Sequence, residues 1–340
     1  MADQTTTSAT VSATSAPPCP LPLIPNLPDD ISLQILARVP RFHHPFLSLV
    51  SKSWRYTVNS PEFFHTRSLI RTAQSSLYLS LRIDSSFHWY AEQNPQNCKR
   101  SLIVLPSIPQ NPVGSSILAL GPKIYVIGGS INDIPSNNVW AFDCRFNKWE
   151  MGPKMRVARE FSAAAECDGK IYVIGGCNVD NWTRSINWAE VFDLKTGVWA
   201  AIPSAIELRD KWMHASAMIG SKFYAMADRG GVVYDVGCGS GGVCLRDSGY
   251  DVEEDVWKEL RGVDKGLPKF LCSSTMVNLD GKLCVVWEGK GNGKEVDIMC
   301  AEIEVKRDVD GGLSGTILRL DVILVVPKGA SISHCLAVEF

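Results

Sequence analysis

One seven-residue sequence occurs twice in this chain and constrains its fold more than any other feature. Lys-Ile-Tyr-Val-Ile-Gly-Gly fills positions 123–129 and again positions 170–176. Each copy is followed by an apolar run that ends in Phe-Asp and then by a tryptophan. These markers are Phe142-Asp143 and Trp149 after the first copy, and Phe192-Asp193 and Trp199 after the second. A pattern that recurs after about 50 residues predicts stacked β units, because one small meander cannot bury its own faces.

The glycines and tryptophans have a physical role in such a unit. Gly128-Gly129 and Gly175-Gly176 predict a backbone with positive φ, or one that approaches another chain segment too closely for a side chain. The late tryptophans are predicted to pack between neighbouring units, where their large apolar area is buried.

Two further units follow with weaker versions of the pattern. The third is predicted to keep Tyr224, Tyr250-Asp251 and Trp257, with its double glycine displaced to Gly230-Gly231 and a loop inserted between Gly237 and Asp247. The fourth, from about residue 275 onward, keeps only the rhythm of short strands.

The two ends of the β region complete one more unit. Three strands are predicted between Ser76 and Pro106, and one more in the final segment Ser-His-Cys-Leu-Ala-Val-Glu-Phe. Joined, they make a four-stranded blade from both chain ends and remove exposed strand edges. The prediction is a mainly β fold with a propeller over residues 76–340, five blades rather than six, closed by the C-terminal strand.

Residues 23–70 predict a small α unit of three short helices. Asp29 and Asp30 follow a proline and precede apolar residues at helical spacing, where carboxylates favour the positive end of a helix dipole. Pro40 ends that run, and Ser60-Pro61 is the next break. On pattern alone, this unit could equally be a helical cap on the β region, since it is too small to bury much apolar area by itself.

The helical unit resembles the F-box. The resemblance rests on a Leu-Pro pair with two acidic residues, an Ile-Leu pair, Val-Pro, and a final Val-Ser-Lys-Ser-Trp. An F-box implies binding to a Skp-type adaptor, which bridges to a cullin and a RING protein. The resemblance carries adaptor binding to Leu27, Pro28, Ile35, Leu36, Val39, Pro40, Val50 and Trp54, some of which, Trp54 and Ile35 foremost, are expected to serve the core as well. The turn at Arg41–Pro45 departs from the arginines and acidic residue that F-boxes often carry there.

The repeat itself resembles the kelch repeat, and both regions together resemble the plant-type F-box/kelch-repeat proteins. This resemblance implies the substrate-recognition subunit of an SCF-type E3 ubiquitin ligase, with no catalytic residues, serving protein degradation. The alternatives are a propeller that binds a small molecule, or a scaffold that works without a cullin.

The target-binding face is predicted on the connections between units. Arginines and aromatic residues in such connections are typical binding anchors. The predicted residues are Arg156, Arg159, Arg209, Lys211 and Trp212. A solvated charged rim is the competing interpretation.

Composition excludes several function classes. A formal net charge of −2 and a pI near 6.3 argue against nucleic-acid binding. The 11 cysteines show no framework spacing, which favours reduced thiols in the cytoplasm or nucleus. Residues 1–22 predict a disordered Ser/Thr-rich tail rather than a secretory signal, and no apolar stretch predicts a membrane span.

Few residues favour an enzyme. Copper oxidases of the galactose oxidase type share the propeller fold, but the β region here has only His88, His214 and His334, which the sequence assigns to distant units without metal-ligand spacing. The glycine-rich run Gly237–Gly242 lacks the lysine of a phosphate-binding loop and predicts a flexible loop. No cofactor and no metal are expected.

Overall fold

The computed structural model describes residues 22–92, 100–177, 188–202, 215–227, 230–236, 240–244, 260–263, 266–268, 274–309 and 311–340. The chain divides into two compact units, Met1–Thr72 and Ala73–Phe340. None of the helices in the described ranges has the length and hydrophobicity to span a membrane.

The first unit is helical. Its elements are α1 (Asp29–Ala37), a 3-10 turn (Arg41–His43), α2 (His44–Val50), α3 (Lys52–Val58) and α4 (Pro61–Leu69). Two acidic residues occupy the first turn of α1, directly after Pro28, where they favour the positive helix end.

Four α-helices are present where the sequence predicted three, because the segment 44–58 is divided at Ser51. Ser51 is extended, with φ −157° and ψ 166°, and its Oγ accepts a hydrogen bond from the backbone N–H of Trp54 at 3.0 Å. Ser60 caps α4 in the same way through the N–H of Phe63. A serine cap satisfies an otherwise unpaired N–H at a helix start, so each serine begins a new helix.

A buried arginine joins the ends of this unit. Arg67 of α4 is fully buried, and its guanidinium donates to the carbonyl oxygens of Ala37 at 2.9 Å, Val39 at 2.7 Å and Thr72 at 2.7 Å. The carbonyls at the end of α1 lack partners within their own helix. Arg67 therefore fixes where α1 ends against α4.

The second unit contains, within the described ranges, five sheets of four or five strands and one short hairpin. The first sheet takes β1 (Ser75–Ile83), β2 (Ser86–Glu92) and β3 (Leu102–Val104). The second has β4 (Ser116–Leu120), β5 (Lys123–Ile127), β8 (Val139–Asp143) and β9 (Lys148–Met151), with the hairpin β6 (Ser130–Ile131) and β7 (Ile134–Pro135) between them.

The remaining sheets follow in chain order. The third has β10 (Ala163–Cys167), β11 (Lys170–Ile174), β12 (Ala189–Asp193) and β13 (Val198–Ile202). The fourth has β14 (Ala215–Ile219), β15 (Lys222–Ala227), β16 (Gly230–Asp235) and β17 (Ser240–Cys244). The fifth has β18 (Leu260–Arg261), β19 (Thr275–Leu279), β20 (Lys282–Glu288), β21 (Glu295–Arg307) and β22 (Leu313–Pro327), and the chain ends in β23 (Ser331–Glu339).

The final strand returns to the first sheet. β23 pairs antiparallel with β1, from Ser75 opposite Glu339 to Arg82 opposite Ser331. β4 contacts β23 and β10, β10 contacts β14, and β19 contacts β23, so the innermost strands of the sheets are neighbours around a central channel. The predicted fold, mainly β with a small α unit and a five-bladed propeller, is confirmed.

The core of the propeller lies between blades. One cluster packs Leu77 and Leu79 of the first blade against Val286 and Ile298 of the fifth. Another packs Ile127 of the second blade against Val173 of the third. Burial of apolar area between the sheets is the main stabilising contribution, since no blade can bury both of its faces alone.

The double glycines have the conformation that the sequence predicts. Gly128, Gly129, Gly175 and Gly176 all have positive φ, between 65° and 83°. A Cβ on Gly128 would lie 2.5 Å from the carbonyl oxygen of Arg159, and one on Gly176 would lie 2.6 Å from that of Glu160. The first pair follows β5 of the second blade, and the second pair follows β11 of the third blade. Both therefore let the backbone contact the connection at Arg159 and Glu160, which leads into the third blade.

The tryptophans pack between blades, as predicted. The ring of Trp149 in the second blade lies 5.7 Å from that of Trp89 in the first. Its indole N–H donates to the carbonyl of Pro106, and that of Trp199 donates to the carbonyl of Pro153, each at 2.9 Å. Both acceptors lie in the connection that precedes the blade of the tryptophan, so each indole fastens one blade to the chain arriving from the previous blade.

The third repeat unit differs from the sequence prediction in two ways. Ser240–Cys244 forms β17 and pairs with β16, so half of the predicted glycine-rich loop is a strand. The aromatic-aspartate pair that matches Phe142-Asp143 is Tyr234-Asp235, because Asp235 lies opposite Lys222 just as Asp143 lies opposite Lys123. Tyr250 and Trp257 lie outside the described residues. The distance from the first lysine to this pair is shorter than in the other two units, which explains why the sequence prediction placed the pair at Tyr250-Asp251.

Candidate functional site

Apolar side chains on the surface of the helical unit form two stripes. Leu27, Ile31 and Ile35 are exposed and recur every fourth residue along α1 and its entry. Phe42, Phe46 and Val50 repeat this spacing through the 3-10 turn and α2, and Leu49 is 74% exposed. Side chains four apart lie on one side of a helix. So many exposed apolar side chains in a small unit favour a binding surface for another protein.

The structure separates the eight residues predicted to bind the adaptor into three groups. Exposed are Leu27, Pro28, Ile35 and Val50, half-buried are Val39, Pro40 and Trp54, and buried is Leu36. For the seven that are exposed or half-buried, a role in adaptor binding stays a prediction.

The neighbours Ile35 and Leu36 point in different directions. Ile35 is 43% exposed, whereas Leu36 is 2% exposed and belongs to the core with Ala37, Val58 and Phe63. Leu36 therefore supports the helix that presents Ile35 and is not itself available to a partner.

Trp54 has contacts in the core and also keeps part of its side chain at the surface, while its expected part in adaptor binding stays a prediction. Its indole N–H donates to the carbonyl oxygen of Leu23 at 2.6 Å, and the residue is half-buried. This bond holds the segment before α1 against α3. The exposed Phe42, Phe46, Leu49 and Tyr56 were not selected from the sequence, although the spacing of four residues between Phe42, Phe46 and Val50 was a visible signal.

Arg159 corrects part of the predicted target-binding face. Its side chain is fully buried, forms an ion pair with Glu190 at 2.9 Å, and donates to the carbonyls of Gly175 at 2.6 Å and Trp188 at 2.9 Å. A guanidinium placed so deeply needs these acceptors to offset its desolvation. Arg159 is thus a structural residue that fastens the connection before the third blade, and it cannot contact a partner.

The other predicted target-binding residues have different outcomes. Arg156 is exposed, and its backbone N–H donates to Glu190 at 2.9 Å. Arg209, Lys211 and Trp212 lie outside the described residues. For these four, target binding stays a prediction.

A cavity opens at one end of the propeller channel, where the innermost strands begin. Its volume is about 650 Å³, within the range of ligand pockets. Every blade places a hydroxyl within one residue of the start of its innermost strand. We call these five residues the hydroxyl ring: Ser116, Ser162, Ser216, Thr275 and Ser331. A serine or threonine at this point of every unit is the sequence signal for the cavity.

Three further side chains give the cavity its charge and aromatic character. Arg82 and Phe87 come from the first blade, and Phe161 from the connection before the third. His334 also lines it, and burial lowers the pKa of this imidazole to about 4, so it is neutral at pH 7.

Among the described residues, no group of three or more His, Cys, Asp and Glu side chains could hold a metal ion. His88 and His334, which the sequence assigned to distant units, lie in the same sheet on β2 and β23, because the C-terminal strand joins the first blade. His214 lies outside the described residues. The six cysteines Cys144, Cys167, Cys177, Cys284, Cys300 and Cys335 are free thiols.

Comparisons with known proteins match both units. The model of the F-box domain matches residues 24–66. The model described as the FKB95 kelch-repeats domain matches residues 87–243. The first match begins before α1 and ends within α4, and the second begins in β2 and ends in β17.

Relatives that align over most of this chain are named for the same two domains. Three F-box/kelch-repeat proteins of Arabidopsis thaliana are 35%, 34% and 34% identical to this chain. The alignments cover 92%, 92% and 91% of this chain, and 92%, 90% and 88% of those proteins. The chain belongs to the F-box/kelch-repeat protein family.

Proposed function

We propose that this chain is the substrate-recognition subunit of an SCF-type E3 ubiquitin ligase. In this role the F-box unit binds a Skp-type adaptor, and through it a cullin and a RING protein, while the propeller binds the protein to be ubiquitinated. The observation that carries the proposal is the pair of exposed apolar stripes on a unit whose residues 24–66 match the F-box.

The chain contributes proximity rather than chemistry in this proposal. Holding a target beside a charged conjugating enzyme converts a bimolecular transfer into an effectively intramolecular one. Catalysis then belongs to partner subunits. Free thiols throughout the propeller favour work in a reducing compartment, the cytoplasm or the nucleus.

The test is capture of a purified Skp-type adaptor by the full chain, compared with the double variant Leu27→Ala/Pro28→Ala. The parent should bind, and the variant should lose about 30-fold or more in affinity, the effect of removing an interface anchor worth about 2 kcal/mol. Both residues are exposed, so the variant should unfold at the same temperature as the parent.

A matched control uses an exposed leucine of the propeller. Leu318→Ala removes a side chain that is 48% exposed on β22, and adaptor affinity should not change. Absence of binding by the folded parent, or equal loss in the control, would refute the proposed role of the F-box.

A further inference from the structure

The cavity at the channel mouth has a one-sided charge. Arg82 is the single charged side chain among the described residues that line it, and no carboxylate is present there. Arg82 is exposed, and its side chain makes no hydrogen bond or ion pair within the described chain. An arginine without a carboxylate partner attracts an oxyanion through two parallel N–H donors.

The hydroxyl ring supplies additional polar contacts. Ser116 donates to the carbonyl of Ser162 at 2.6 Å, and Ser216 donates to that of Ala164 at 3.0 Å, so these oxygens are held at the edges of neighbouring blades. The hydroxyls of Thr275 and Ser331 form no hydrogen bond within the described chain. Their hydroxyls remain free to donate to a bound anion.

Phe161 brings an aromatic ring to the same cavity in an unfavourable conformation. Its φ is 52°, a left-handed value that bulky residues avoid, and the residue is 42% exposed. Its backbone N–H donates to the carbonyl of Gly114 at 2.6 Å, and a Cβ on Gly114 would lie 2.7 Å from the ring. The chain thus accepts strain to keep an exposed aromatic ring beside the cavity, a pattern typical of binding sites.

We propose that the propeller recognises its target at this cavity, and that the cavity binds an anionic side chain of a target peptide. The carboxylate or phosphate lies against Arg82 and the hydroxyl ring, and Phe161 packs on the adjoining apolar part of the peptide. This inference rests on the proposed function and names the chemistry of its target site.

The experiment uses the full chain, with and without a purified Skp-type adaptor, and three pools of degenerate short peptides. The pools differ only in a fixed central residue, which is glutamate, phosphoserine or glutamine. We expect the chain to retain one or both anionic pools about tenfold or more above the glutamine pool, the effect of a charge-assisted hydrogen bond. Retention of the phosphoserine pool alone would identify phosphate as the ligand, and retention of the glutamate pool would identify a carboxylate.

Arg82→Gln should reduce retention of the anionic pools to that of the glutamine pool. The matched control is Arg307→Gln, an exposed arginine at the end of β21 outside the cavity, which should keep the preference. Equal retention of the three pools by the parent, or an anionic preference that survives Arg82→Gln, would overturn the inference.

Phe161→Asn removes the ring while keeping a residue that tolerates positive φ. It should lower retention of all three pools without lowering the unfolding temperature, and unchanged retention would contradict the role of the ring. Adaptor capture is scored on the same samples. A chain that fails to bind adaptor but selects anionic peptides would refute the proposed ligase role alone, and the converse would refute this inference alone.

Discussion

Single buried polar residues decide much of the local geometry in both units. Arg159 donates to two carbonyls and to Glu190 in the third blade, while its own carbonyl accepts a hydrogen bond from Gly129 of the second blade at 2.8 Å. One residue thereby fixes the spacing of two blades. In the helical unit, Arg67 of α4 donates to the carbonyls of Ala37 and Val39 and so fixes the spacing of α1 and α4.

His44, which lies against Arg67, should make the stability of the helical unit depend on pH. Burial, followed by the charge of Arg67, lowers the pKa of His44 from 6.5 to about 4. The unfolded state therefore takes up a proton before the folded state does as the pH falls. The contribution of neutral His44 to the free energy of unfolding is fully present above about pH 6.5. It declines between pH 6.5 and pH 4, and the loss is about 2 kcal/mol at pH 5.

Denaturant unfolding of the full chain at pH 7 and pH 5 measures this effect. His44→Gln keeps an N–H donor for the carbonyl of Val39, which the imidazole contacts at 3.1 Å, but it cannot titrate. The transition of the helical unit should shift with pH in the parent and much less in the variant. An equal shift in both would show that another group is responsible.

At the scale of elements, the residue requirements are strictest at the ends of strands. The second strand of the second and third blades ends in a double glycine that contacts the connection leading into the third blade. The backbone there has left-handed dihedral angles that residues with a Cβ avoid. Strand interiors tolerate many β-branched or aromatic residues, whereas these ends accept little besides glycine.

Gly176→Ala should therefore destabilise the propeller more than Gly121→Ala. Both glycines have positive φ, 71° and 54°, but a Cβ on Gly176 meets Glu160 O at 2.6 Å, while one on Gly121 meets nothing within 4 Å. Gly121→Ala should cost about 1 kcal/mol from backbone strain alone. Gly176→Ala should cost about 1–3 kcal/mol more, because the backbone must shift.

The free energy of unfolding of the two variants, obtained from denaturant titration, separates the two contributions. Equal losses would mean that the close approach at Gly176 is relieved without cost.

At the scale of the whole molecule, the propeller depends on closure between its two ends. β23 lies between β1 of its own blade and the innermost strands β4 and β19 of the neighbouring blades. Its Cys335 and Val338 are buried. Without it, the first blade lacks its innermost strand, and an unpaired edge of β1 faces the channel.

Removal of residues 329–340 should abolish cooperative unfolding of the propeller, because the lost contacts exceed the usual net stability of about 5–15 kcal/mol. A synthetic peptide of the same residues, added to the truncated chain, should restore a cooperative transition. A peptide with the same composition in scrambled order is the control. A truncated chain that unfolds like the parent would show that closure by β23 is dispensable.

Sequence reasoning succeeded where a residue type has one physical use. Trp149 and Trp199 predicted inter-blade packing because a large aromatic residue late in each repeat has no other surface to cover. Pairs of adjacent residues were harder. Ile35 and Leu36 have similar chemistry, and only the packing of α1 against α4 decides which of them is buried. The burial of Arg159 was also hidden in the sequence, since an arginine in a connection between strands is usually exposed.

Local sequence patterns were sufficient to predict the architecture: a helical F-box unit, a repeat of short strands, and the positions where glycine and tryptophan are required. These follow from local periodicity and from backbone conformations that few residues can adopt. The tertiary structure decided which polar residues face solvent and which satisfy buried carbonyls, and it brought five hydroxyls, Arg82 and Phe161 from separate blades around one cavity. The repeated Ser/Thr positions are visible in the sequence, but their meeting with Arg82 and Phe161 depends on contacts between residues far apart in the chain.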